Sequence, residues 1–154
     1  MQKKIKRIIF LMILFTFFIF CTKVFAETDK DVTSYFEDEN LKNAILEIIK
    51  KVENDNTKNN ILMSDIDKIT SDSLASGKQL NLAGKNIKSL KGLELFEEKN
   101  IEWIYLDWNE IDDLSVLNNF TSLTKISASG NNISNTAFVN KMSNLQNLNL
   151  SNNK

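Results

Sequence analysis

"IEWIYLDWNEIDDLSVLNNF", residues 101–120, finds its apolar spacing again in "LTKISASGNNISNTAFVNKM" at 123–142 and in "LQNLNLSNNK" at 145–154. The three segments start 22 residues apart, and "GKQLNLAGKNIKSLKGLELF" at 77–96 aligns with them. Position four of each unit is Leu80, Ile104, Ile126 or Leu148. Position six is Leu82, Leu106, Ala128 or Leu150, and position eleven is Ile87, Ile111 or Ile133. Further apolar residues follow at Leu90, Leu93 and Phe96, and at Leu114, Leu117 and Phe120. One such unit has too few apolar side chains to offset the entropy of ordering its own backbone, so the units must stack and share a core.

A period of this length with these matched positions is the leucine-rich repeat. The expected fold class is α/β: a short solenoid in which each coil adds one short strand to a parallel, concave sheet, preceded by a small α-helical cap. Three full coils and a truncated fourth occupy 77–154. Position nine carries Asn109, Asn131 and Asn153, whose amides belong inside the turn, where they donate to and accept from backbone groups that the bend leaves unpaired. Lys85 breaks this ladder in the first coil.

The expected cap occupies 27–76. "DENLKNAILEIIKKV" from Asp38 sets Leu41, Ala44, Ile45, Ile48, Ile49 and Val52 at helical spacing, with Asp38 as N-cap and Lys50 and Lys51 near the C-terminus. A polar stretch, "ENDNTKNN", closes the helix. A shorter helix is expected around Ser64 to Ile69, with Ser64 and Asp67 at capping-box spacing.

Residues 1–26 read as an export signal: Lys3, Lys4, Lys6 and Arg7, the apolar run "IIFLMILFTFFIFC", then "VFA", with cleavage expected after Ala26. An uncleaved anchor is the rival reading, but the run is shorter than the roughly 20 residues that span a bilayer. Phe20 is too large to precede a lipoprotein cysteine at Cys21. Beyond residue 26 the chain keeps 14 of its 19 basic residues against all 20 acidic ones, a net charge of -6, with no sign of nucleic-acid affinity.

Cleavage removes the single cysteine, and there is no histidine anywhere. Thiol nucleophiles, histidine bases and His/Cys zinc sites are therefore excluded, and no cofactor, metal or catalytic activity is expected. Asp65 with Asp67, and Asp112 with Asp113, read as capping and solvated-turn residues and not as catalytic or calcium-binding pairs.

Positions three, five and seven of each coil point to the concave side. Most are small or polar: Gln79, Asn81 and Ala83; Lys125, Ser127 and Ser129; Asn147, Asn149 and Ser151. The second coil instead places Trp103, Tyr105 and Asp107 there, with Trp108 following, so both tryptophans of the chain fall in one patch. An apolar patch rimmed by hydrogen-bonding groups is how recognition hot spots are built. Binding is the preferred reading of Trp103 and Tyr105, since the neighbouring coils offer little to cover an indole. Trp108 stays open between contact residue and a ring folded over its turn. Lys125 and Asp107 are expected as rim charges, with Asn81 and Asn149 completing the candidate site.

The cap beginning "YFEDENLKNAI", the lead-in "MSDIDKITS" and the first coil "LNLAGKNIKSLKGLELF" resemble the internalin type of bacterial leucine-rich repeat protein. Its first coil often carries a lysine where Lys85 stands. The resemblance implies export by a Gram-positive bacterium and recognition of a protein on a host or neighbouring cell. A glycan is the alternative partner, its rings stacked on Trp103, Tyr105 and Trp108 and its hydroxyls taken by Asn81, Asp107 and Asn149. Residues 27–154 contain no wall-sorting signal, and the fourth coil runs to position ten, which reads as a truncated coil. A remnant without activity of its own, or an open edge that self-associates, is therefore also expected.

Overall fold

A computed structural model of the chain describes residues 30–69, 74 and 78–154. The expected export signal, and the expected boundary between 76 and 77, lie outside the described residues.

The first helix, α1, runs Glu39–Glu53 and begins where Asp38 accepts hydrogen bonds from the N–H groups of Asn40 and Leu41. It ends at Asn54, in the left-handed conformation, with Lys50 and Lys51 in the last turn. Leu41, Ala44, Ile45, Leu46 and Ile49 bury one stripe of the helix. The second helix, α2, spans Met63–Lys68. Its cap differs from expectation: Asp65, not Asp67, reaches back to accept from the Leu62 N–H at 2.8 Å. Asp65 is buried and paired with Lys58, which also bonds Glu53, so the polar stretch between the helices is closed by ions. Asp67 pairs with Lys99 instead.

Four strands follow, β1 (Gln79–Asn81), β2 (Trp103–Tyr105), β3 (Lys125–Ser127) and β4 (Asn147–Asn149). They form one parallel sheet in chain order. In register, Leu80, Ile104, Ile126 and Leu148 lie side by side. The first three are 0–1% exposed, whereas Leu148 is 39% exposed, because β4 has a neighbouring coil on one side only. Beyond each strand the chain turns, and 3₁₀ segments at Leu93–Lys99, Ser115–Asn119 and Ala137–Lys141 stack on one another. Phe96, Phe120 and Phe138 fill the interior beneath them. The result is the expected α/β solenoid with helices ahead of its first coil. No helix among the described residues is long and apolar enough to cross a membrane.

The asparagine ladder has a direction. Asn109 accepts from the N–H groups of Lys85 and Ile87 and donates to the carbonyls of Leu82 and Leu106. Asn131 accepts from Ile111 and Asn153 from Ile133. Each asparagine thus serves the coil before its own. The first coil has no earlier coil to serve, which explains Lys85: its ammonium group pairs with Glu47 of α1 at 2.7 Å.

Candidate functional site

The strand register sets the site. Gln79, Trp103, Lys125 and Asn147 form one row across the outer sheet face, and Asn81, Tyr105, Ser127 and Asn149 the next. Alternation buries Ile104 between Trp103 and Tyr105 and leaves Trp103 38% exposed. The fold therefore sends two large rings outward where the neighbouring strands send amides, a serine and a lysine.

Lys125, expected as a rim charge, lies against the aromatic pair. Its stem crosses the patch from the register position beside Trp103, and its Nζ lies 5.4 Å from the Trp103 ring and 5.2 Å from the Tyr105 ring. It also approaches the Tyr105 hydroxyl at 3.4 Å. The neighbouring coil therefore does offer cover for the indole, contrary to expectation. A four-carbon stem reaches both rings, and their π faces attract the ammonium. Lys125 is half-buried and makes no ion pair among the described residues.

The polar members have local duties. Asp107 accepts from the Ser127 hydroxyl at 2.7 Å and from the Ser129 N–H at 2.9 Å, tying the second coil to the third. Asn149 donates to the same Ser127 oxygen at 3.4 Å. Asn81 and Asn149 each accept from the backbone N–H two residues on, at Ala83 and Ser151, both at 3.1 Å. Their side-chain oxygens hold the strand ends, and both residues stay exposed. Beside Trp103, Glu102 is paired with Lys78. The structure thus brings Trp103, Tyr105 and Lys125 into contact and links Asp107 and Asn149 through Ser127. Asn81 joins only as the register neighbour of Tyr105.

Trp108 lies off the sheet, on the turn. Its backbone is left-handed, φ 58°, the conformation also found at Gly84, Gly130 and Asn152. These four residues are position eight of their coils, and a bulky side chain there is strained. The ring rests on the next turn so closely that a Cβ added to Gly130 would sit 2.6 Å from its Cε3. Even so, Trp108 is 65% exposed. Folding over the turn and staying accessible are both true of it.

Among the described residues, no three His, Cys, Asp or Glu side chains gather in a way that holds a metal ion.

No family model matches the chain, and no curated protein matches it significantly. Solved structures do match. Internalin InlF from Listeria monocytogenes aligns over 81% of this chain with a TM-score of 0.61 and 23% sequence identity. The fold is the internalin type of leucine-rich repeat. This chain spans only 33% of that InlF structure. Listeria monocytogenes internalin InlC2 aligns over 82% of this chain and 80% of its own length, with 18% identity and a TM-score of 0.47.

Within this internalin-type solenoid, sequence reasoning missed two things. The left-handed position eight was legible in the alignment of Gly84, Trp108, Gly130 and Asn152, where tryptophan is the odd member. The reach of Lys125 over both rings was not, because it depends on the side-chain path across the sheet.

Proposed function

We propose that this chain is an exported, non-catalytic binding module that recognises a protein on a host or neighbouring cell through the outer face of its sheet. Trp103 and Tyr105 are its anchors, Lys125 and Asp107 its charged contacts, and Trp108 a side wall. Export by a Gram-positive bacterium belongs to the same reading, as does a division into a helical cap at 27–76 and a repeat region at 77–154.

One observation supports it above the others: Trp108 occupies a left-handed position at 65% exposure. A local rule broken without compensating burial is expected at functional sites. Trp103 and Tyr105 add large contact area at little rotamer entropy, the usual make-up of an interface anchor.

The test is an extracellular-protein display screened in parallel with a glycan array, using the wild-type chain and Trp103→Ala. A protein ligand lost on that substitution is expected, with affinity reduced by about 2 kcal/mol or more. Binding that persists unchanged in Trp103→Ala would reject the site. A hit confined to the glycan array, and lost with Trp103, would transfer the site to a sugar.

A further inference from the structure

We propose that the site receives a carboxylate side chain of a protein segment on Lys125, with an apolar side chain of the same segment lying on Trp103. This assignment rests on the outer sheet face being the recognition surface, and it names the chemistry of the partner.

The charges around the patch are unequal in one respect. Lys78 is neutralised by Glu102, and Asp107 accepts hydrogen bonds from Ser127 and Ser129. Lys125 is different. It is half-buried, lies against the Trp103 and Tyr105 rings with its ammonium near the Tyr105 hydroxyl, and has no carboxylate partner among the described residues. Ring faces attract an ammonium group but do not neutralise its charge, and they pin its long stem before any ligand arrives. A docking surface that holds a cation in place without a counter-ion matches an anionic group, and contact with an anion there costs little side-chain ordering. A cationic segment would be repelled from the same point. The exposed indole edge beside it matches an apolar neighbour of that anion.

The test uses the full chain and three N-acetylated, C-amidated peptides, Phe-Glu-Phe, Phe-Gln-Phe and Phe-Lys-Phe. Binding is followed by the NMR shift of the Trp103 indole N–H, with the Trp108 indole as a second reporter. The Glu peptide is expected to bind about fivefold more tightly than the Gln peptide, a difference that shrinks as salt is raised to about 0.5 M. Lys125→Gln should abolish the preference, and Lys125→Arg should keep it. Equal binding by all three peptides, or a preference that survives Lys125→Gln, overturns the carboxylate assignment while leaving the recognition face standing. Absence of saturable binding by any peptide overturns it too, and the Trp103→Ala display experiment then judges the face independently. N-acetylneuraminic acid shifting the Trp103 indole at lower concentration than the Glu peptide also overturns it, in favour of an acidic sugar.

Discussion

Asp38 accepts a hydrogen bond from the backbone N–H of Lys88, fifty residues further along the chain, at 2.7 Å. The same oxygen takes a second bond from Ser89, while the other oxygen caps α1 through Asn40 and Leu41. One carboxylate therefore fastens the helix start to the first coil. Replacing it with alanine removes the cap and leaves Lys88 and Ser89 without their acceptor. Asp38→Ala is expected to lower stability by about 2 kcal/mol, read as a shift of the urea midpoint.

Acid should loosen the same joint. Burial would raise the Asp38 pKa, but bonds from Leu41, Lys88, Ser89 and Asn40 outweigh it and hold the carboxyl below its ordinary value of 3.8. Hydrogen bonds from Lys58 and Lys68 likewise hold Glu53 below 4.5. For a carboxylate depressed in the folded state, the stabilisation is complete above the unfolded pKa and is lost as pH falls through the folded one. Stability should accordingly be flat near neutrality and decline below about pH 4. Asp38→Asn, which still caps a helix, should flatten part of that decline. Thermal melts at several pH values measure both, and an unchanged slope in Asp38→Asn would contradict the assignment.

Asn109 makes four hydrogen bonds to backbone groups of two coils. Its loss would leave buried donors and acceptors unpaired, each at about 1–3 kcal/mol, so Asn109→Ala is expected to cost about 3 kcal/mol or more. Asn153 serves the half-buried edge of the stack, where water replaces some of what is lost. Asn153→Ala should cost clearly less, and equal losses in denaturant melts would contradict the burial argument.

The turn at Trp108 makes opposite forecasts for two neighbours. Trp108→Gly relieves a left-handed residue and gives up only partial burial, so stability should be unchanged or rise by about 1 kcal/mol. Gly130→Ala adds a methyl group to a left-handed residue under the Trp108 ring and should cost about 1–2 kcal/mol. In the double variant Trp108→Gly with Gly130→Ala, the contact part of that cost should disappear, as thermal melts of the three variants would show.

Hydrogen exchange should grade the sheet. Leu148 is exposed where Leu80, Ile104 and Ile126 are enclosed, and β4 pairs with β3 alone. Amides in the last ten residues of the chain should exchange faster than those of residues 103–107. Equal protection would point to a covered edge in solution.

The range of each interaction decides how much of the site is legible in the sequence. Trp103, Tyr105 and Asp107 can be placed on one face because strand alternation is a local rule, and the structure sends them there. The duties of Asp107 and Asn149 cannot, since both act through Ser127 and the contact of three coils. Asp67 departs from its expected role for a related reason. The N-cap of helix α2 is Leu62, two residues earlier than the hydroxyl at Ser64 suggests, so the capping role at the third helical position passes from Asp67 to Asp65.

Periodicity along the chain settled the repeats, the buried isoleucine and leucine rows, the asparagine ladder and the capped first helix. These depend on spacing within about 22 residues, which a linear reading resolves. Tertiary structure alone decided that Lys125 spans two rings, that Asp38 fastens the cap to Lys88 and Ser89, and that Lys85 turns to Glu47. Lys125 stands one repeat after Trp103, but the path of its side chain over both rings is not set by that spacing, and Asp38 and Lys85 meet their partners only because the helix packs on the first coil.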